Sequence, residues 1–599
     1  MSEAQTYQSL SGATWQEAPS VLPDAQTKRL AQHLQQAHNI PIAIAMHLAR
    51  HGVTSESLDD FLEPRLRNSL PDPLVMRDAD KAIGRICDAI EEGHPIGLFG
   101  DYDVDGACSA ALFRQVLGQF GIPVYCHIPD RFSEGYGPNI TALKQLKEKG
   151  ARLIITVDCG ITAHEPLAEA AEQNMDVLVI DHHKAGPTLP VATAVVNPNR
   201  LDDDSRLGYL CAAGVCFLVL AGVMRECRTR NITPPSGTMP DLLTLLDMVG
   251  LATVCDVVPL RDVNRVFVKQ GLKMLATRQN LGLRHLCDVA GLAAAPTTHT
   301  LGFLLGPRIN AGGRLGQSDL GIQLLTAQDA DIAGSLALRL DELNVERRAT
   351  EQAVQLQAEA LAEEQLTEDA ARPVLILSGQ GWHEGVIGIV AGRLKDKYNR
   401  PVIVIAFDDE GRGKGSGRGV PGLSLGDVIQ AARQDGLLLS GGGHDMAAGL
   451  SLHRDKLAAF TSFVNGRASA AFGDAPPKRS FVASHTLSVA GCTSDITDWL
   501  EKVGPFGVGH PEPRFIITHC QLKNLRWVGA EKQHLSVQLD DKTARPLSAI
   551  CFSAATTPLG RALAATPDPG PVSVLGRVRV DSFRGGGAVQ LHIEDIAIG

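Results

Sequence analysis

Residues 95–106 read PIGLFGDYDVDG, a short apolar run that breaks into three aspartates, Asp101, Asp103 and Asp105, and a glycine. Two later stretches repeat the plan: LIITVDCG at 153–160 ends in Asp158, and VLVIDHH at 177–183 ends in Asp181, His182 and His183. Short apolar runs separated by helix-period segments predict βαβ units and a parallel sheet buried on both faces. Three parallel strands then deliver acids and imidazoles at their C-terminal ends, the edge at which open α/β sheets bind ligands. On an extended segment Asp103 and Asp105, two residues apart, project to the same side. A further acid, Asp256, stands in the apolar context ATVCDVVPL at 252–260.

So many carboxylates gathered together repel one another, and divalent cations relieve that repulsion. Oxygen donors mixed with imidazole suit Mn2+ or Mg2+ rather than a thiolate metal. Taken singly, each piece has a plainer reading: DxD as a turn, DHH as a capped loop, Asp256 as a helix cap. Together they point to a two-metal site and to phosphodiester hydrolysis. The sequence has no GxSxG nucleophile elbow and no GxxxxGK[ST] phosphate loop, so no nucleotide cofactor is implied.

At 599 residues the chain exceeds what one hydrophobic core supports. No apolar run approaches the roughly 20 residues of a membrane span, and the N-terminus has neither a basic start nor an apolar h-region. The expectation is a cytoplasmic protein without a membrane partner. The 12 cysteines are scattered without a CxxC pair, which predicts buried free thiols rather than a zinc or iron–sulfur site. The net charge of −11 does not advertise a polyanionic partner, although local phosphate neutralisation, not whole-chain charge, sets such affinity. From Lys478 onward 13 Lys and Arg face 11 Asp and Glu, so the tail is the least repulsive part.

The pattern predicts a multidomain α/β chain. Residues 1–75 read as a helical region and 76–335 as the unit carrying the parallel sheet. Residues 336–368 read as a connecting helix, charged nearly all round and free of Gly and Pro over 341–364. A smaller α/β unit follows at 369–474, and after the AFGDAPPKRS linker short alternating segments at 475–599 predict a small antiparallel barrel. Three segments look suited to phosphate. GPRINAGGRLG at 306–316 offers Arg308, Asn310 and Arg314, with helix-end capping as the other reading. KGSGRG at 414–419 places Ser416 and Arg418 among glycines. SGGGHDMAAG at 440–449 reads as the opening of a helix whose N–H groups attract anions, with His444 inside it. In the tail, Trp499, Phe506, Phe515, Trp527, Phe552 and Phe583 read mainly as core, with WVGAEKQH at 527–534 the best stacking surface.

DYDVDG, VDCG, DHH and the DVVPL segment match, in order, the four motifs of the DHH phosphoesterase superfamily, and the continuation GPRINAGGRLG resembles its long exonuclease branch. The likeness runs over nearly all of the chain from about residue 75. It implies a DHH catalytic domain, a DHH-associated domain and a C-terminal OB-fold. It also implies a binuclear Mn2+ (or Mg2+) site on Asp103, Asp105, Asp158, His182 and Asp256, with Asp158 bridging. Asp101 and His183 would sit close by, contacting substrate or holding ligands. Ser416 and Arg418, helped by Arg131 in PDRFSEGYG, would hold a 5′ phosphate, with Arg308, Asn310, Arg314 and His444 as further substrate contacts. The implied activity is 5′→3′ exonucleolytic release of 5′-mononucleotides from single-stranded DNA in repair and recombination. A single-strand-binding protein and a recombination helicase are the implied partners. One departure stands out: pyrophosphatase-type members carry His four residues before the acid equivalent to Asp103, where this chain has Phe99. One metal is then expected to have a thinner ligand set, completed by Asp101 or water. Two other activities fit the superfamily. A phosphodiesterase for short oligoribonucleotides or cyclic dinucleotides would be shorter and lack the GPRINA segment and the barrel. An inactive DNA-binding scaffold would have lost acids that are all present here.

Overall fold

The computed structural model describes residues 7–473, 477–543, 545–566, 569–581 and 587–598, so part of the 471–480 linker and Phe583 lie outside the described residues. Its first sheet has five parallel strands in the order Val124–His127, Ile96–Gly100, Leu153–Val157, Val177–Ile180, Ala194–Val196. Alternate side chains serve opposite faces. Leu98 and Ile155 join the core under the helices Ala79–Glu91, Val104–Gln119 and Ala212–Arg230, while Phe99 and Ile154 join the core under Ile140–Glu148 and His164–Glu172. The chain leaves Ile96–Gly100 toward one edge and continues from Leu153–Val157 toward the other. The crevice between these two strands is therefore the topological switch point, where such sheets bind ligands.

Helices fill the span from 205 to 330. The connecting helix, Ala330–Glu368, begins earlier than its charge pattern suggested and runs for 39 residues, about 58 Å at 1.5 Å per residue. The buried carboxylate of Glu351 pairs with Arg347 on its own helix and, at 2.6 Å, with the half-exposed Arg393 of the next unit, which ties the two together. That unit holds a mixed five-stranded sheet ordered Ser440–His444, Ala447–His453, Arg412–Arg418, Val402–Phe407, Leu375–Gln380. Residues 440–449 open no helix. They form a hairpin, with Gly441 opposite Leu450 and His444 opposite Ala447. The reason is local: three consecutive glycines are poor helix formers, and burial alternates over Ala448, Leu450 and Leu452, the period of a strand.

The C-terminal sheet closes on itself. Phe515–Val528, His534–Asp540, Leu547–Cys551, Val589–Ile598 and Val572–Val580 pair in a ring, mostly antiparallel, the five-stranded barrel of an OB-fold. The N-terminal region is neither all helical nor separate from it. Gln8–Ser9 extends the barrel along Val589–Ile598, and Thr14–Glu17 pairs with Ser480–Ala483. The helices Asp24–His38 and Ile42–Arg50 bury Leu34, Ile44 and Leu48 in the barrel's own core. Two- and four-residue strands carry no periodic signal, and their partners lie hundreds of positions away. Among the described residues no helix is long and apolar enough to cross a membrane. All 12 cysteines are free thiols, and ten of them are buried.

Candidate active site

The helix Val104–Gln119 starts directly behind the strand Ile96–Gly100, so Asp103 and Asp105 do not share one side of an extended segment. Asp103 caps the helix, its Oδ1 accepting the N–H groups of Asp105 and Gly106 at 2.9 and 3.1 Å. Asp105 lies in the first turn, 1% exposed, and accepts the N–H groups of Ala212 and Ala213 at 2.6 and 2.8 Å. Those donors open the helix Ala212–Arg230, whose N-terminal dipole favours a carboxylate. Gly106 allows the tight turn: a Cβ there would stand 2.4 Å from the Asp101 carbonyl oxygen.

Asp158 follows its strand in a left-handed conformation (φ 61°) and is 2% exposed. Its Oδ1 lies 3.3 Å from His182 Nε2, and Asp256 Oδ2, at the C-terminal end of Leu246–Cys255, lies 3.6 Å from the same nitrogen. The other nitrogen of His182, Nδ1, meets the Leu210 carbonyl at 3.1 Å, which presents Nε2 to the acids. Asp101, Asp103 and Asp158 bring carboxylate oxygens to within 4.8 Å of one another, as do Asp105, His182 and Asp256 with their ligand atoms; Asp158 also groups with His182 and His183. Asp158 thus faces both halves of the cluster. Phe99 is fully buried, its ring stacked on His127 at 5.4 Å, so it offers no ligand, and Asp101 supplies the third oxygen of that half.

This cluster is left incomplete by its own protein groups. Asp101 Oδ1, Asp158 Oδ1, His182 Nε2 and Asp256 Oδ2 are all buried without a hydrogen-bond partner, an arrangement native proteins avoid unless another species completes it. Burial, with Asp105, Asp103, Asp101 and Asp256 around it, pushes the Asp158 carboxyl well above the usual range. Burial and then Asp103 do the same for Asp101. Burial, Asp105 and Asp103 push Asp256 up to about 9. The donor set of carboxylates and one or two imidazoles, with four unsatisfied atoms converging, fits divalent cations of the Mn2+ or Mg2+ kind.

Beside it stands a cluster of guanidiniums. The helix Gly306–Arg314 packs Gly313 on the DYD loop, where a Cβ would come within 2.6 Å of the Tyr102 carbonyl. Arg131 lies over the Tyr102 ring at 5.5 Å. Arg314 is pulled down to about 10 by burial and by Arg131 and Arg347, and Arg418 is lowered by burial and Arg131. Arg418 Nη1 donates to Ser416 Oγ at 3.1 Å, and both side chains face Gly388 on the helix Glu384–Tyr398. Asn310 precedes Arg314 by one turn and shares its face. Arg308 points elsewhere: it donates to Asp341 at 2.9 Å and to the Leu304 carbonyl at 2.7 Å, fastening the connecting helix. His444 is exposed and lies on the Arg418 face of the sheet, two strands away.

Several positioning residues escaped the sequence reading. Asp181, quoted with its two histidines but given no role of its own, is fully buried and orients His183. Asn197 and Asn199 donate to the carbonyls of His183 and His182 at 2.9 and 2.5 Å. Tyr136 Oη lies 3.4 Å from both the Asp158 carbonyl and His183 Nδ1. The only sequence cue was proximity to DHH and PDRFSEGYG. In the barrel, Phe515 is core, whereas Trp527 and Phe552 are 38% and 47% exposed.

A parallel sheet that gathers acids at its switch point, followed by a mixed sheet carrying a basic pocket, defines a DHH-type α/β architecture. Residues 95–246 match the DHH family, N-terminal domain; residues 371–470 match the DHHA1 domain; residues 485–595 match the RecJ OB domain. The chain belongs to the RecJ family. It is 35% identical over 532 residues to the single-stranded-DNA-specific exonuclease RecJ of Escherichia coli, covering 86% of this chain and 90% of that one. With the RecJ of Haemophilus influenzae it shares 33% over 567 residues, covering 93% and 96%. Its structure is similar to that of RecJ in complex with Mn2+ from Thermus thermophilus, with a TM-score of 0.80 at 27% identity, covering 98% of this chain and 79% of that one. The Mg2+ complex of the same protein matches with a TM-score of 0.74 at 26% identity, covering 98% and 78%.

Proposed function

We propose that this chain is a cytoplasmic, two-metal exonuclease that degrades single-stranded DNA in the 5′→3′ direction to 5′-mononucleotides, in repair and recombination. The observation that carries the reading is the pairing of a buried acid cluster, left with four unsatisfied ligand atoms, with a guanidinium pocket alongside. Family membership supports the same reading. Asp105, His182 and Asp256 on one side, Asp101 and Asp103 on the other, and Asp158 between them would hold the two ions. Bound there, divalent cations supply Lewis acidity toward a phosphodiester and a water.

The chain's own groups do the rest. Arg131, Arg314, Ser416 and Arg418 hold the terminal phosphate by charge-assisted hydrogen bonds, which places the first diester over the acids. Positive charge concentrated in this way, enough to lower Arg314 and Arg418, favours a dianionic end over an internal diester. His183, although burial works against it, is pushed up to about 9 by its hydrogen bond to Asp181 and by that residue's charge, so it can present a proton at the edge of the cluster. The barrel lies downstream to hold the remaining strand, with a single-strand-binding protein and a recombination helicase as the partners this role entails. End-labelled single-stranded DNA, duplex DNA and dinucleotides, each with Mn2+ or EDTA, test the proposal. The expected result is Mn2+-dependent release of mononucleotides from the 5′ end of single strands alone. Equal or faster turnover of dinucleotides would replace this reading with a short-oligonucleotide phosphodiesterase, and no turnover at all with a scaffold.

A further inference from the structure

Away from the acidic cluster, three imidazoles close on one another where the N-terminal helices meet the barrel. His47 lies on the helix Ile42–Arg50 and His51 caps its C-terminal end. They are four residues apart, the spacing by which a helix turns two imidazoles toward one metal. His510 comes from the segment between the helix Ser494–Val503 and the strand Phe515–Val528. The ring centroids stand 4.5, 5.1 and 4.8 Å apart for the pairs His47–His51, His47–His510 and His51–His510. One ligand nitrogen from each lies within 4.8 Å of the other two.

Two observations point to a ligand at the centre. His47 is 3% exposed, and its Nε2 is buried without any hydrogen-bond partner. The other two rings anchor one nitrogen on the backbone: His51 Nδ1 on the His47 carbonyl at 2.9 Å, and His510 Nε2 on the Val503 carbonyl at 3.3 Å. That leaves each of these rings a second nitrogen to offer a ligand. Metal-bound histidines are commonly held in this way, through a backbone carbonyl on the far nitrogen.

We propose that His47, His51 and His510 form a three-histidine site for a divalent transition metal of the Zn2+ class, separate from the catalytic acids, with water in the fourth position. An all-imidazole set suits Zn2+ and its neighbours rather than the oxygen-seeking Mn2+ or Mg2+. Arg50 and Arg265 also face the cluster and oppose a further cation, which sets the affinity below that of an uncharged pocket. Their charge is partly engaged elsewhere: Arg50 pairs with Glu17, and Arg265 donates to the carbonyls of Val503, Gly504 and Pro505 at 2.7, 2.8 and 3.2 Å. Burial, His51 and the two arginines hold His47 down at about 3, and burial and Arg265 hold His510 down at about 2. Both rings are therefore neutral across the physiological range, the state a metal requires.

The site would act as a rivet. The 503–510 segment is also bound to the catalytic domain, where the Val508 carbonyl accepts Leu260 N–H at 2.7 Å and the Phe506 carbonyl accepts Thr298 Oγ1 at 3.0 Å. Leu260 follows the metal-cluster residue Asp256 by four positions. A metal at the three histidines would thus brace the N-terminal helices, the barrel and the Asp256 segment against one another.

The test uses the full chain, stripped with chelator and re-equilibrated against buffered Zn2+ or Co2+. In an Asp158→Asn, Asp256→Asn background, which disables the catalytic cluster, we expect retained Zn2+ with an imidazole-dominated shell by X-ray absorption. Adding His51→Gln, the least buried of the three, should remove that Zn2+ and the visible band of four-coordinate Co2+. His51→Gln alone should leave the Mn2+-dependent nuclease rate within about twofold. An oxygen-dominated shell, no retained Zn2+ in the first background, or a folded His51→Gln chain with unchanged Zn2+ would overturn the proposal. The absorption measurement needs no histidine variant, so it decides the matter even if that variant fails to fold.

Discussion

Asp181 Oδ1 accepts the Nδ1 hydrogen of His183 at 2.7 Å while its Oδ2 accepts the Ile161 N–H at 3.0 Å, so one buried carboxylate ties the imidazole to the floor of the cluster. The same Oδ1 also takes the N–H groups of His182 and His183 at 2.7 and 3.1 Å. This residue is a bracket for the motif's two histidines rather than a ligand.

Asp181→Asn should therefore impair function by misplacing both histidines. An amide cannot accept at both positions, and its NH2 would confront a backbone donor. A stability loss of about 1–3 kcal/mol is expected from the unsatisfied contact, together with at least a tenfold fall in kcat. Binding of single-stranded DNA, measured in Ca2+, should stay within about threefold. A fall in binding as large as the fall in kcat would show that the residue supports the whole domain and not the histidines.

Asp158→Asn tests the central position. Asn tolerates the left-handed backbone at this site better than Ala, so the change isolates charge. Turnover should drop below about a hundredth of wild type, because support for the transition state worth several kcal/mol is removed. Without metal the variant should melt no lower than wild type, since it removes a buried carboxylate crowded by four others. The rise in melting temperature that Mn2+ gives the wild type should shrink markedly. A variant that retained a tenth of the activity would exclude a shared ligand at this position.

The acids also give the metal-free protein an unusual pH dependence. A carboxylate whose pKa is raised in the folded state binds protons more tightly there than in the unfolded chain. Its contribution is most favourable below the unfolded value, about 3.9, and is lost as pH rises through the folded value, about 9 for Asp256. The His183–Asp181 pair works in the same direction, being lost as pH passes about 9. In EDTA the melting temperature should fall between about pH 6 and pH 9, and the gain on adding Mn2+ should grow over the same range. A gain independent of pH would mean that the acids are not what the metal neutralises.

Three of the acidic motifs were legible because each follows a strand, where a four- or five-residue apolar run announces the element and its end at once; Asp256, which ends a helix, stood out only by its apolar surroundings. Their partition was not. Only the helix starting at Val104 separates Asp103 from Asp105, and nothing in DYDVDG alone marks that start. The hairpin at 440–453 was misread because glycines say little about which element they join; the alternating Ala448, Leu450 and Leu452 were the better signal. Arg308 resembled a phosphate ligand, but its partner Asp341 lies 33 residues on, in a helix whose charges looked solvent-facing. The fusion of the N-terminal region with the barrel was illegible in principle, because its strands are completed by residues more than 460 positions away.

Arg418→Ala should abolish discrimination for a phosphorylated 5′ end. Arg418 is largely buried beside Ser416, with Arg131 close enough to depress its pKa, so the pocket holds concentrated positive charge. Charge-assisted hydrogen bonds contribute about 1.5–3 kcal/mol each, or roughly ten- to a hundredfold in the ratio of rates on 5′-phosphate and 5′-hydroxyl strands. Gly388→Ala should mimic it without removing a charge, since a Cβ there lies 2.9 Å from Ser416 Oγ and 3.1 Å from Arg418 Nη2. If both variants kept the wild-type ratio while folded, the end would be recognised elsewhere, with Arg131 and Arg314 the next substitutions to make.

Removing the barrel wholesale would not give a clean test of its role, because the helices Asp24–His38 and Ile42–Arg50 bury their apolar faces in its core. Surface substitutions do. Trp527 and Phe552 are the exposed large aromatics of the barrel among the described residues, and Phe552 is held edge-on by His534 at 5.2 Å and His592 at 5.1 Å. Trp527 pairs in register with Leu535, next to His534, so both aromatics stand at the end of the barrel that carries the turn between Val528 and His534. Stacking of a base on such a ring contributes about 1–3 kcal/mol. Trp527→Ala and Phe552→Ala should each weaken binding of a long single strand about five- to a hundredfold while leaving the cleavage rate of an oligonucleotide too short to reach the barrel unchanged. The salt dependence of binding should hardly move, because no phosphate contact is lost. A variant that slowed the short substrate as much as the long one would place these rings in the path to the acids instead of downstream of them.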